Sequence, residues 1–201
     1  TTDDFSAIAS DGTTWVICGN NGSIYSSTDG ATWTKRTPGS SSTNFFNSIT
    51  YGNSTFVIVG DDGEAQTSPT GATWTLRTIL GSTTNDYQPV VWAEDEGKFY
   101  AFETAGEDVF TSSDGTTWVE VTNIGFSPSS TVLLSSCVAY AEHSDASEKL
   151  WVATPYVNFM TVDSHILTSK SGDAYNAHSV AGLNNTFPGS ILRAVAIFAT
   201  V

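Results

Sequence analysis

The chain has 201 residues, of which 39% are hydrophobic, and its 21 acidic and 7 basic residues give a formal net charge of −14. This balance excludes broad contact with nucleic acid or with an anionic membrane surface, because both require clustered Lys and Arg side chains. No apolar run reaches the roughly 18 residues that would span a bilayer as a helix, so we also predict no membrane insertion.

The first predicted unit covers residues 5–37 and consists of four short strands joined by tight turns. Asp11-Gly12 and Asn20-Asn21-Gly22 mark two of the turns, since Asp-Gly and Asn-Gly adopt the positive φ angles that short hairpins need. A third turn carries the segment Ser27-Thr28-Asp29-Gly30-Ala31-Thr32-Trp33, called the box below. Its Ser and Asp are expected to bond to the local backbone. Its tryptophan is expected to fill space between units.

The same order of strands and turns returns in residues 46–78 and 90–122. The box returns at residues 68–74 and 112–118, so that successive box tryptophans are 41 and 44 residues apart. A repeat of this length, built from four antiparallel strands, is typical of the blades of a β-propeller. The box residues that we assign to turns and blades are Ser27, Asp29, Gly30, Trp33, Gly71, Trp74, Ser112, Asp114, Gly115 and Trp118.

A fourth unit, residues 137–180, follows the pattern less closely. Residues 155–163 are interpreted as an insertion, and insertions into repeats often lie on the binding face. Tyr156, Asn158 and Phe159 are therefore the candidate binding residues, because loop aromatics can stack on sugars or anchor a protein partner. An equal alternative is that such aromatics close one end of the ring.

The sequence thus predicts an all-β fold, a single β-propeller domain over residues 1–201 with four to five four-stranded antiparallel blades. Residues 191–201 form a strongly β-forming run that either closes the ring or begins a further blade. The chain begins at Thr1 without a methionine, which fits a processed product or an excerpt of a larger propeller.

No catalytic constellation is visible, so we predict that the chain is not an enzyme and has no cofactor. The acidic clusters at 61–64, 94–96 and 107–108 fall in predicted turns, where solvation explains them better than glycosidase chemistry or Ca²⁺ binding does. His143, His165 and His178 match no metal-binding spacing. Cys18 and Cys137 lie in apolar runs and are predicted to be buried thiols, with one long-range disulfide as the alternative.

The box, with its Ser, Asp, Gly and Thr-Trp, resembles the Asp-box repeat of the bacterial neuraminidase type. It is one residue shorter than the usual form, and Thr70 replaces Asp in the second copy. The resemblance implies a propeller, but the family includes sialidases, sorting receptors, photosystem assembly factors and phage structural proteins, so fold does not give function. A sialidase would need a convergent clamp of three arginines, whereas Arg36 and Arg77 are equivalent repeat positions.

The compact Ser-Asp-Gly-Thr-Thr-Trp form of the box is similar to repeats in bacteriophage virion proteins. This similarity implies a non-enzymatic structural or binding module of a tail, fibre or capsid-decorating protein, located in the virion. Its partners would be other virion proteins or a host-surface glycan. The alternatives are a secreted or periplasmic propeller that is lectin-like or an assembly factor and, third, a glycoside hydrolase. Homo-oligomer formation is left open.

Overall fold

The computed structural model describes residues 2–41, 43–79, 84–94, 96–104, 108–121, 132–142, 149–157, 165–169 and 175–179, with side chains up to residue 121. Within this part of the chain, sixteen strands form four antiparallel sheets of four strands each, and no α-helix occurs. In every sheet the strand order follows the order along the chain. The predicted all-β fold is confirmed.

Each sheet is one blade, numbered here along the chain. Blade 1 contains β1 (Phe5–Ser10), β2 (Trp15–Gly19), β3 (Ile24–Ser27) and β4 (Thr34–Arg36). Blade 2 contains β5 (Phe46–Gly52), β6 (Thr55–Gly60), β7 (Glu64–Ser68) and β8 (Thr75–Thr78). Blade 3 contains β9 (Tyr87–Ala93), β10 (Lys98–Glu103), β11 (Val109–Ser112) and β12 (Val119–Glu120). Blade 4 contains β13 (Val132–Glu142), β14 (Lys149–Val157), β15 (His165–Ser169) and β16 (Tyr175–Ser179).

The first strands of successive blades lie next to one another, so that β1, β5, β9 and β13 form the inner side of the arrangement. Side-chain hydroxyls connect these strands across the blade boundaries. Ser6 Oγ donates to the Phe46 carbonyl at 2.5 Å, and the Val90 N–H donates to Ser48 Oγ at 3.2 Å. The last strands of the first three blades are largely exposed, which makes them the outer edges.

The turns between second and third strands in blades 1 and 2 are single 3-10 turns at Asn20–Gly22 and Asp61–Gly63. The middle residue of each turn is left-handed, with φ of 53° at Asn21 and 56° at Asp62. Asn and Asp tolerate this region better than other residues with a Cβ. The Asn-Asn-Gly and Asp-Asp-Gly sequences therefore dictate the turn.

The apolar core lies between the blades. One cluster joins blade 1 to blade 2 and includes Val16, Cys18, Phe46 and Trp74. A second joins blade 2 to blade 3, and within it Trp118 is completely buried. Since full burial of a large apolar side chain stabilises by roughly 1.5–3 kcal/mol, these two clusters supply much of the free energy that holds the three blades together.

Blade 4 departs from the sequence interpretation in its first two strands. Its first strand begins at Val132, five residues before the predicted start of the unit at residue 137, and its second strand runs on to Val157. The backbone of Leu133 pairs with that of Tyr156. This part of the predicted insertion therefore lies in a paired extension of the second strand and not in a loop. Residues 158–163 lie outside the described residues.

Candidate functional site

In blade 1 the polar residues of the box are bonded to one another and to the backbone of the turn. Ser27 Oγ donates to Asp29 Oδ1 at 2.9 Å and accepts from the Gly30 N–H at 2.9 Å. The same carboxylate oxygen accepts from the N–H groups of Thr32 at 2.7 Å and Ala31 at 2.8 Å. These N–H donors hold the pKa of Asp29 well below its usual range, and the Thr32 N–H has the largest effect.

The third copy of the box repeats this geometry, and the second preserves it with a hydroxyl. Asp114 Oδ1 accepts from the N–H groups of Thr117 at 2.9 Å and Thr116 at 2.7 Å, which lowers its pKa. In the second copy, Thr70 Oγ1 accepts from the Ala72 N–H at 3.3 Å. A neutral acceptor thus occupies the place of the carboxylate, as expected for a turn and not for an acid-base catalyst.

The box tryptophans are tied to the box glycines. Each indole Nε1–H donates to the carbonyl of the glycine three residues earlier, at 3.2 Å for Trp33, 3.3 Å for Trp74 and 3.2 Å for Trp118. Trp74 and Trp118 are buried between blades. Trp33 is only half-buried, because within the described residues no blade lies on that side of blade 1.

The two arginines on the outer strands have identical roles. Arg36 Nε donates to Ser26 Oγ at 2.8 Å, and Arg77 Nε donates to Thr67 Oγ1 at 3.1 Å. Each arginine therefore links the fourth strand of its blade to the third strand. Arg193 lies outside the described residues.

Most carboxylates of the predicted turns are bonded to nearby side chains. Glu64 is buried and accepts from Gln66 Nε2 at 2.6 Å and from Ser40 Oγ at 2.5 Å, which fixes the connection from blade 1 to blade 2. Glu94 accepts from the indole of Trp92. Glu96 accepts from a tyrosine hydroxyl on the next strand, Tyr100. Asp95 and Glu107 lie outside the described residues.

One group of carboxylates, here called the acidic end, comes together from two blades. Asp61 and Asp62 belong to the 3-10 turn of blade 2, and Asp86 precedes the first strand of blade 3. Asp86 Oδ1 accepts from the Asp62 N–H at 3.2 Å. Burial raises the pKa of Asp61, as do the nearby carboxylates of Asp86 and Asp62. Among the described residues the ion pair is Lys35–Asp3, so no described side chain forms an ion pair with the acidic end.

The sequence-predicted binding residues are not brought together in the described part. Tyr156 lies in β14, at a register position opposite Leu133, whereas Asn158 and Phe159 fall outside the described residues. The backbones of His165 and His178 belong to β15 and β16, and His143 is outside the described residues. Tyr156, Asn158 and Phe159 stay a prediction.

The buried Cys18 thiol is free, and burial raises its pKa to about 12. Tyr87 is also buried, and its hydroxyl has no hydrogen-bond partner among the described residues; burial, together with Glu103, raises its pKa to about 12. The described residues contain no group of three His, Cys, Asp or Glu residues placed to hold a metal ion. They also contain no helix long and apolar enough to cross a membrane.

No protein-family model matches the chain, and no curated protein matches it. Solved structures do match. YCF48 solved with a D1 peptide has a TM-score of 0.61 at 16% identity, with 90% of this chain and 56% of that one covered. The WD40 β-propeller domain of Doa1 has a TM-score of 0.58 at 14% identity, with coverage of 92% and 56%. The fold is a β-propeller.

Glycoside hydrolases are among the similar propellers. The exo-β-1,3-galactanase of Phanerochaete chrysosporium has a TM-score of 0.57 at 14% identity, with 87% of this chain and 49% of that chain covered. The chain thus spans about half the length of these structures. At such identities the likeness establishes the fold, and activity has to be argued from the residues of this chain.

Proposed function

We propose that this chain is a non-enzymatic structural or binding propeller whose partner is a protein or a peptide. The proposal rests on the hydrogen bonds that the polar residues of the box form. Its Ser and Asp, the residues that most suggest catalysis, are hydrogen-bonded inside their own turns. A general acid or base needs a pKa near the working pH, whereas the pKa values of Asp29 and Asp114 are lowered.

The charge of the molecule favours a partner with a basic surface. A net charge of −14 attracts cationic partners at long range and repels anionic ones. The acidic end concentrates that charge where blades 2 and 3 meet, and the pKa of Asp61 is raised there, first by burial and then by the nearby carboxylates of Asp86 and Asp62. That YCF48 was solved with a bound peptide is consistent with a propeller that binds protein segments.

The finer form of the proposal is a bacteriophage virion component, which rests on the similarity of the compact box to virion repeats. Other virion proteins would then be the partners, and a host-surface glycan is the alternative ligand. A secreted or periplasmic lectin-like propeller or assembly factor is the second proposal, and it differs from the first in location. Mass spectrometry of purified particles from a phage that encodes the chain should detect it, and its absence from them would reject the virion role.

A binding experiment tests the partner class. Fluorescence anisotropy of labelled Lys/Arg-rich and Asp/Glu-rich peptides of equal length should show binding of the basic peptide alone, weakened by salt. The single variant Asp62→Asn should bind more weakly than wild type. Glu120→Gln, which removes one charge from the outer edge of blade 3, is the matched control. Equal binding of both peptides, or equal loss in the control, would contradict the proposal.

An activity assay separates the proposal from the glycoside hydrolase alternative. We expect no release of nitrophenol from a panel of nitrophenyl glycosides by the purified chain. Turnover that is lost on Asp61→Asn would show that the acidic end is catalytic and would overturn the non-enzymatic assignment.

A further inference from the structure

Blade 3 carries two polar side chains at positions where blades 1 and 2 have apolar residues. In each of these blades the first residue of the first strand pairs with the last residue of the second strand: Phe5 with Gly19, Phe46 with Gly60 and Tyr87 with Glu103. A Cβ would lie 1.9 Å from a backbone oxygen at Gly19 and 2.2 Å at Gly60, so the first two blades have no space for a side chain there. The blade fold therefore requires neither the hydroxyl of Tyr87 nor the carboxyl of Glu103.

The Tyr87 hydroxyl is buried without a partner. Tyr87 is 0% exposed, its ring packs edge-on against Phe110 with centroids 5.6 Å apart, and its hydroxyl has no hydrogen-bond partner among the described residues. Burying a hydroxyl in this way costs free energy, because its hydrogen bonds to water are lost and not replaced. A phenylalanine, as at the equivalent positions of blades 1 and 2, would avoid that cost. The hydroxyl is therefore placed for a group that the described part of the chain does not provide.

Two carboxylates lie near this hydroxyl, and Tyr87, Glu103 and Asp108 are together called the Tyr87 cluster. Glu103 is buried, and its N–H donates to the Asp108 carbonyl at 3.0 Å. Burial raises the pKa of Tyr87 to about 12, together with the charges of Glu103, Asp108 and, last, Glu120 on the outer strand. Burial, followed by the Asp108 charge, also raises the pKa of Glu103. No described side chain forms an ion pair with either carboxylate of the cluster, so negative charge lies beside a hydroxyl that is free to accept.

The Tyr87 cluster adjoins the acidic end. Asp86 of the acidic end directly precedes Tyr87, and its carbonyl accepts from the N–H of Thr104, the residue after Glu103, at 2.8 Å. Asp108 is exposed, so the cluster includes a carboxylate at the surface. A basic segment bound at the acidic end would therefore have one side chain next to the cluster.

We propose that the Tyr87 cluster binds the ammonium group of a lysine side chain of the basic partner. An ammonium has a positive charge, three N–H donors and no acceptor, which matches two carboxylates and the phenol oxygen. Its narrow apolar stem can lie among buried side chains, whereas arginine carries its donors in a rigid planar fork. A metal ion fits less well, because the described residues contain no group of three His, Cys, Asp or Glu placed to hold one. This inference rests on the proposed function, since it names the residue that the partner would contribute.

Peptide binding to the full chain tests the inference. Fluorescence anisotropy with two N-acetylated peptides of equal length, one with lysine and one with arginine at every basic position, should show tighter binding of the lysine peptide by about tenfold, the effect of one hydrogen bond to a charged group. Tyr87→Phe and Glu103→Gln should each abolish this preference. Tyr87→Phe introduces the residue that blades 1 and 2 carry at this position, so it should fold, which circular dichroism checks.

The matched control is Asp4→Asn, which removes one exposed carboxylate from blade 1 and should leave the preference for lysine unchanged. Equal binding of the two peptides by wild type, or a preference that persists in Tyr87→Phe, would overturn the lysine site while leaving a basic partner in place. Binding of neither peptide would instead contradict the proposed function.

A small cation tests the cluster independently of any peptide. In the full chain with tyrosines labelled at ¹³Cζ, the resonance absent from Tyr87→Phe belongs to Tyr87. Butylammonium chloride, which has N–H donors, should shift this resonance, and butyltrimethylammonium chloride, which has the same charge and no donor, should not. A Tyr87 resonance that butylammonium leaves unmoved, or that both salts move equally, would refute the ammonium site whatever the peptides show.

Discussion

Gly115→Ala is the substitution that tests most directly how the blades pack. Gly115 has a φ of 70° and its missing Cβ would lie 2.7 Å from Val57 Cγ2 in the preceding blade. Alanine therefore meets two obstacles at this position, a left-handed backbone and a neighbour that has to move. Gly97, in the hairpin of the same blade, has a φ of 61° with nothing within 4 Å of a Cβ, so Gly97→Ala meets the first obstacle alone.

The two variants together separate backbone strain from inter-blade crowding. The left-handed backbone should cost about 1 kcal/mol in both, from a penalty of roughly 1–2 kcal/mol partly offset by the lower entropy of the unfolded alanine chain. Crowding in a packed core adds roughly 1–3 kcal/mol. We therefore expect Gly115→Ala to lower the free energy of unfolding by about 2–4 kcal/mol and Gly97→Ala by about 1 kcal/mol.

Urea denaturation followed by tryptophan fluorescence measures the difference, provided that the m-values of the two variants agree. Equal losses, within about 0.5 kcal/mol, would falsify the inference that the box glycine is required by the neighbouring blade. A larger loss in Gly97→Ala would assign the strain to the hairpin. Gly71→Ala, which faces Val16 in the same way, should behave like Gly115→Ala.

Two further predictions concern protonation and reactivity. Because the folded pKa of Asp114 is lowered, its charge stabilises the fold above the unfolded value of about 3.9 and the contribution is lost as pH falls through the folded pKa. Asp114→Asn should therefore melt below wild type at pH 7, with the gap closing under acid conditions; a gap of constant size would contradict this assignment. Cys18, whose pKa is raised to about 12 by burial, should not react with a thiol reagent in a folded Cys137→Ser chain and should react fully in urea; fast labelling of the folded chain would show that the core of blades 1 and 2 opens.

The blade pattern could be predicted from the sequence because short segments of sequence determine its turns and strands. Asp-Gly, Asn-Gly and the box fix the turns through local backbone preferences, and the apolar runs between them have the length of strands. The sequence is less informative in blade 4, where residues 155–157 lack a turn signal and their place in a long second strand is not predicted. Their pairing with β13 depends on a distant segment, and a single sequence does not show which segments meet.

The acidic end illustrates the same limit for the candidate site. The sequence predicts a turn at Asp61 and Asp62, but Asp86 is 24 residues beyond Asp62 and belongs to the next blade. Only the packing of one blade on the next brings the three carboxylates together. The sequence nevertheless contains a signal for this grouping. In a four-stranded antiparallel blade, a residue just before the first strand lies at the same end as the turn between the second and third strands.

The box combines two kinds of constraint, and the second copy separates them. Thr70 replaces Asp because the turn needs a hydrogen-bond acceptor there, and a hydroxyl can supply one within the same blade. Gly71 and Trp74 are kept in that copy because they pack between blades, where no substitute has the same shape. Blade 1 keeps Gly30 and Trp33 as well, although nothing in the described chain rests on Gly30. A turn alone would not require that tryptophan, and in the second and third copies of the box the same tryptophan is buried between blades.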